Sequence, residues 1–295
     1  MLIAKLVSAF EGVDFFQYQP ILEHVPILWR LGVLDTNSAA IFWRLNASMA
    51  VLDRATGRNL NFRLEDSSSI SKALDADRYL ERARDPDFDG LLKRFNEDSR
   101  VPAFLTHETL PHAELIFLAA PEARIVEVER NLADLAFSWF QRGWGVRFGS
   151  DEKALIPVVA VDGNPTPWFA TDFAETFGQS YAAMSPADRC AASILTLHRE
   201  SQRALAKLPE DQSRRVHVIS YETLLCDPHG VMDGIGAFLE TEPLPGMSEV
   251  LAREGLTGSE KTNPKSSRKA LGEVVSPALA ASLDAAMEQQ VAQKR

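Results

Sequence analysis

The first ten residues, MLIAKLVSAF, put Leu2, Leu6, Ala9 and Phe10 at helical spacing, so the chain is predicted to open on an amphipathic helix. A short apolar segment, Val13-Asp14-Phe15-Phe16, follows. Pro20 to Leu31 then repeats the helical period through Ile21, Val25, Leu28 and Trp29. Residues 35–100 are mostly helical in pattern and rich in charge, with a polar break at Asp66-Ser67-Ser68-Ser69. Beyond them the pattern changes. Val101 to Thr106 is a short apolar run, Leu110 to Ala120 reads as a helix stopped by Pro121, and Arg124 to Val128 reads as a second strand. A strand, a short crossover helix and another strand specify a parallel, right-handed βαβ unit. His107 and Arg130 are then expected at the same sheet edge, the carboxyl end where open α/β sheets bind ligands.

Asn131 can cap the next helix, with Asp134 three residues on in a capping-box arrangement. Leu132, Leu135, Ala136, Trp139 and Phe140 share one face of that helix, while Asn131, Asp134 and Ser138 share a polar one, and Gly143 is a stop signal. Residues 145–185 read as loop, with a strong turn at Asp162-Gly163-Asn164-Pro165. A long helix over Pro186 to Leu208 leads into a third strand, Arg215 to Ser220, with Tyr221-Glu222 at its exit. Asp227-Pro228 opens another helix. Ser259 to Ala270 reads as a polar loop carrying Lys261, Lys265, Arg268 and Lys269 against a single Glu260, and Ser276-Pro277 opens a final helix.

Composition narrows the function classes. With 295 residues and 45% hydrophobic positions the chain can bury a large core, and one α/β domain over residues 1–295 is expected. A net charge of −10 argues against nucleic acid or an anionic membrane as the main partner, since an acidic surface repels polyanions. No apolar run approaches the roughly 18 residues that span a bilayer. The only cysteines, Cys190 and Cys226, sit in apolar stretches away from any metal-ligand spacing, and buried, reduced thiols suit a cytoplasmic protein.

The stretch from Thr106 to Ser138 carries the most specific pattern. Leu105-Thr106-His107, a helix, then Arg124-Ile125-Val126-Glu127-Val128-Glu129 running into Arg130-Asn131-Leu132-Ala133-Asp134 and on to Ser138 resembles the sulfotransferases that use 3′-phosphoadenosine-5′-phosphosulfate (PAPS). Those enzymes have a strand ending in Lys-Thr-His and a later strand entering Arg-Asn-Pro-x-Asp-x-x-x-Ser. The family lysine is replaced here by Leu105. The resemblance spans residues 101–270 and implies a three-layer parallel sheet with flanking helices, of the P-loop NTPase-like kind.

It further implies that Arg130 and Ser138 hold the 3′-phosphate of PAPS and of its product PAP, a role that suits a guanidinium fork and a helix-borne hydroxyl. A structural ion pair for Arg130 is the competing reading. For the base that takes the acceptor proton the resemblance offers His107, with Glu23 as the substitute used in other branches. Ser220-Tyr221-Glu222 resembles the passage in which a tyrosine meets the adenine, although core packing accounts for Tyr221 equally well. Lys265 and Arg268 lie where the family has a late phosphate-contacting loop, and a solvated charge run is the alternative. No metal is implied. The resemblance implies a small-molecule or glycan acceptor, with the helical segments near 35–100 and 145–185 expected to shape its pocket.

The family's Ser-Gly-Thr-Ser/Thr phosphate loop occurs nowhere in the sequence, and the first residues look like the helix that follows it. The expectation is therefore a sulfotransferase fold without its first, central strand, and a start at Met1 that is truncated or misassigned. Two readings stay open: an enzyme that moves a sulfuryl group to a hydroxyl or amine, and a non-catalytic relative that keeps only part of the nucleotide site. A nucleotide or sugar kinase would need Gly-x-x-x-x-Gly-Lys-Ser/Thr, which is absent.

Overall fold

The computed structural model describes residues 2–258 and 264–293, with side chains described for 2–258 and 267–290. Helix α1 (Leu2–Val7) forms where the apolar period predicts it and buries Leu6. The chain then turns into strand β1 (Gln17–Tyr18), helix α2 (Pro20–Arg30, with Pro20 in its first turn) and helix α3 (Thr36–Ala55), which Asp35 caps through the amide of Ser38. Helices α4 (Ala76–Arg84) and α5 (Phe88–Glu97) complete the charged region. Strand β2 (Phe104–Leu105), a 3₁₀ turn at Leu110–His112, helix α6 (Ala113–Ala119) and strand β3 (Ile125–Glu129) then follow as expected.

Helix α7 (Leu132–Gln141) begins at Asn131, whose side chain accepts from the Asp134 amide at 3.1 Å, and it ends before Gly143, at φ 74°. After the short α8 (Trp144–Arg147), residues expected as loop form a hairpin of β4 (Val158–Val161) and β5 (Asn164–Pro167). Its turn residues Asp162 and Gly163 both have positive φ, the backbone a tight hairpin needs, and the valine-rich run of β4 suits a strand. Next come α9 (Phe173–Phe177), the long α10 (Pro186–Lys207), α11 (Glu210–Ser213) and strand β6 (Val216–Ser220). Helices α12 (Tyr221–Cys226), α13 (Pro228–Leu239), α14 (Met247–Arg253), α15 (Pro264–Gly272) and α16 (Pro277–Gln293) close the chain. The supposed polar loop over 259–270 is thus helical from Pro264, a residue that favours a first turn; its residues 259–263, including Lys261, lie outside the described residues. Cys190 is buried as expected, but Cys226 is exposed because it ends α12 at the surface. No helix among the described residues is long and apolar enough to cross a membrane.

The sheet departs most from expectation. β1 pairs with β2 in parallel, and β3 pairs with β6 in parallel from Ile125↔Val216 to Glu129↔Ser220, but β2 and β3 do not pair with each other. The continuous parallel sheet is therefore replaced, among the described residues, by two parallel pairs. A cavity of about 1350 Å³ lies where a shared sheet was expected, lined by residues 101–110 of the β2 segment, residues 123–130 of the β3 segment, and Ile3, Ala4 and Val7 of α1. The expected βαβ crossover through α6 is present in order, but not its hydrogen-bonded ladder.

Each strand pair is anchored by its own core. Leu6, Phe10, Ile219, Leu224 and Ile235 pack α1 against β6, α12 and α13, while Phe16, Ile70 and Tyr79 pack with Leu105 of β2. Each fully buried side chain of this size contributes about 1.5–3 kcal/mol. Asp14, fully buried, accepts from Arg82 at 3.0 Å and from Arg100 Nε at 2.9 Å, which pins the segment before β1 to α4 and to the approach of β2.

Candidate active site

β2 ends at Leu105, and the turn behind it presents Thr106, His107 and Glu108 to the cavity. Glu108 adopts φ 46°, the left-handed region, which lets the chain reverse sharply there. Two side-chain contacts hold this turn. The Thr106 and Thr109 hydroxyls are 2.7 Å apart, and Glu23, reaching from α2, accepts the backbone N–H of His107 at 3.0 Å and lies 2.9 Å from its Nδ1. Tyr18 of β1 presents its ring to the imidazole at 5.7 Å, edge to face. The two residues offered as alternative bases thus touch each other.

This arrangement raises the His107 pKa, first through the hydrogen bond to Glu23, with desolvation opposing. Glu108 is pushed up to about 7, mainly by burial and then by the nearby Glu23 charge. Glu127, at the middle of β3, is also pushed up to about 7, by burial and then by Glu108 and Glu129. Both carboxyls line the cavity, and neither has an arginine or lysine partner among the described residues. Neither belongs to the family pattern, although a glutamate inside the otherwise apolar run Ile125-Val126-Glu127-Val128 is a visible signal.

At the end of β3, Arg130 also lines the cavity. The β3–β6 register sets it beside the residue that follows Ser220, and its guanidinium lies over the Tyr221 ring at 4.8 Å. Its Nε is buried without a hydrogen-bond partner among the described residues, and no carboxylate pairs with it there. The structural ion pair that competed with the phosphate role is not found among the described residues. Glu222 accepts the Asn131 amide at 2.8 Å and the Ser220 hydroxyl at 2.9 Å, tying the exits of β3 and β6 together.

The other expected site residues stand apart. Ser138 is half-buried on α7, and no hydrogen bond or ring contact joins it to Arg130. The cavity meets α7 along Leu132, Leu135 and Trp139, a different face from that of Asn131, Asp134 and Ser138. Asp134, expected on a polar face, is buried at 8% exposure, on a helix that α10 and α15 pack against. Arg268 is exposed and bonds Asp284 of α16 at 2.5 Å. Lys265 belongs to α15, but its side chain lies outside the described residues. Among the described residues no cluster of histidine, cysteine and carboxylate groups could hold a metal ion.

Taken together, the cavity offers a histidine at the end of β2 and, at the end of β3, a guanidinium without an ion-pair partner among the described residues. A family model described as "Sulfotransferase domain" matches residues 9–271. Among solved structures, the "Sulfotransferase Domain from the Curacin Biosynthetic Pathway" aligns over 84% of this chain and 72% of that one, with 11% identity and a TM-score of 0.40. No curated protein matches the chain.

Proposed function

The chain belongs to the sulfotransferase domain family, and from that premise we propose that it moves a sulfuryl group from PAPS to a hydroxyl or amine acceptor at the cavity beside β2 and β3. The observation that carries this reading is that His107, at the end of β2, and Arg130, at the end of β3 and without an ion-pair partner among the described residues, line one cavity. The family match favours a transferase over the non-catalytic alternative.

Arg130 fits a phosphate of the nucleotide. Its buried Nε is an unused donor, and a guanidinium binds phosphate oxygens in a fork while Tyr221 supports its face. PAPS supplies the activated sulfuryl group. The chain's own work is to hold the donor through Arg130, to admit the acceptor into the cavity, and to take the acceptor proton at His107. Such general-base assistance is worth about 10²–10⁴ in rate. Ser138 and Arg268 serve as nucleotide contacts in a bound state that moves them, since Arg268 is engaged with Asp284, and Lys265 is kept as a proposed contact.

The cavity separates two parallel pairs whose facing edges are open, and we infer that a central strand of the sulfotransferase sheet belongs between them. Unpaired strand edges on either side of a gap are what a missing middle strand leaves.

The test is transfer from radiolabelled PAPS to a panel of hydroxyl and amine acceptors, with PAP binding measured by calorimetry. Saturable PAP binding and labelled product are expected. A chain that binds no PAP and labels no acceptor under any condition sinks the proposal.

A further inference from the structure

Glu23 and His107 are 84 positions apart in sequence, yet the carboxylate oxygen Oε2 of Glu23 meets two nitrogens of this one residue, the backbone N–H at 3.0 Å and ring Nδ1 at 2.9 Å. A carboxylate oxygen can only accept. The hydrogen of the second contact therefore sits on Nδ1, and in the neutral ring the lone pair is left on Nε2, the nitrogen remote from Glu23. Which ring nitrogen carries the proton is set by the bond the other makes. The side chain of Glu23 is 7% exposed beneath the ring, whereas that of His107 is 51% exposed at the cavity. An acceptor can reach the imidazole. It cannot reach Glu23 without displacing it.

We propose that Glu23 is a positioning residue for His107, fixing the ring so that Nε2 faces the acceptor as general base, while Glu23 itself takes no proton from the acceptor. The inference rests on the reading of His107 as the base, and it resolves the two candidates into one unit. As the acceptor oxygen bonds to sulfur and the donor's bridging S–O bond breaks, the acceptor proton moves to Nε2 and PAP leaves with the bond pair. The imidazolium then formed lies against the Glu23 carboxylate, which stabilises its charge.

The same carboxylate has a second use. By accepting the backbone N–H of His107 it fixes the turn in which Glu108 adopts its left-handed conformation, so α2 sets both the place and the tautomer of the imidazole. Among the described residues, the titratable groups around the ring are Glu23 from α2, Glu108 from the turn and Tyr18 from β1. Tyr18 stays neutral there, its hydroxyl pushed up to about 12 by burial and then by Glu23 and Glu108.

Nitrogen-15 NMR of the histidine side chains in the full chain tests this directly. The wild type is expected to show neutral His107 protonated at Nδ1, with Nε2 as the titrating nitrogen. Glu23→Gln should lower the His107 midpoint, so that the proton is held about tenfold less tightly, and Glu23→Asp should restore most of the loss because it keeps the charge. In transfer assays Glu23→Gln should lower kcat about 10- to 100-fold with acceptor KM within about twofold, and the acidic limb of the rate profile should move to lower pH. An Nε2–H tautomer in the wild type, or an unchanged midpoint in Glu23→Gln, overturns the proposal. The wild-type spectrum decides the tautomer even if the variants fail to fold. A chain with the expected spectrum and no transfer activity overturns the sulfotransferase reading and leaves the Glu23–His107 arrangement standing.

Discussion

The guanidinium of Arg130 lies 4.8 Å from the centre of the Tyr221 ring, because the β3–β6 register sets Glu129 opposite Ser220 and so places the next residue of each strand side by side. The contact holds a cation at the cavity without neutralising it, since an aromatic face supports positive charge and leaves the N–H donors free.

Arg130→Ala should therefore weaken PAP binding by about 10- to 100-fold, the worth of a charge-assisted hydrogen-bonded pair. Tyr221→Phe keeps the ring and should change affinity by less than about twofold, whereas Tyr221→Ala should fall between the two. Calorimetric titration with PAP is the measurement. Equal affinities for wild type and Arg130→Ala would remove the phosphate site.

The unpartnered carboxyls of the cavity predict an unusual stability profile. Glu108 and Glu127 have folded-state pKa values of about 7, above the unfolded carboxyl range, so the native state holds more protons between about pH 4.5 and 7. Stability should then fall as pH rises through that window. Glu127→Gln removes this unpartnered charge and should raise stability at pH 8 by about 1–2 kcal/mol, with no gain near pH 4. Urea titrations at the two pH values read the difference, and a gain of equal size at both would point to packing rather than charge.

His112 makes the opposite prediction. It is buried at 3% exposure, neither ring nitrogen has a hydrogen-bond partner among the described residues, and its ring packs on Trp168 at 5.2 Å. Burial, then the charge of Arg30, pushes its pKa down to about 3. The unfolded chain protonates this histidine below about pH 6.5 and the folded chain does not, so stability is lost as pH falls from there toward 3. His112→Phe should be more stable by about 1–3 kcal/mol, more so at pH 5 than at pH 8. Thermal melts at both values test it.

Asp14 answers two arginines from a fully buried position. Asp14→Ala leaves Arg82 and Arg100 without their acceptor and should cost about 3–5 kcal/mol by denaturant titration. A loss below about 1 kcal/mol would mean that both guanidinium groups find solvent.

The open strand edges predict a pattern of amide exchange. Ile125 donates to Arg215, so along β3 the amides of 125, 127 and 129 face β6 while those of Val126 and Val128 face the cavity. Val126 and Val128 should exchange faster than Glu127 and Glu129. Equal protection would show that the edge is already covered.

Much of this architecture was legible in the chain. The helical period at Leu2-Leu6-Phe10 and from Pro186, the caps at Asn131 and Asp227, and the strands near 125 and 216 depend on neighbours a few residues apart, and sequence records such neighbours directly. Thr106-His107 and Arg130 stand at the ends of β2 and β3, as their place after two apolar runs indicates, but those strands belong to separate pairs and not to one sheet edge.

What the sequence alone determined, then, was the set of local elements and the family resemblance carried by short spacings. Tertiary structure decided the rest: that β2 and β3 stand apart around a cavity, that α15 replaces a loop and engages Arg268 with Asp284, and that Glu23 lies against His107. Strand pairing and contacts across 84 residues depend on which surfaces pack together, and apolar periodicity says which face is buried but not against what.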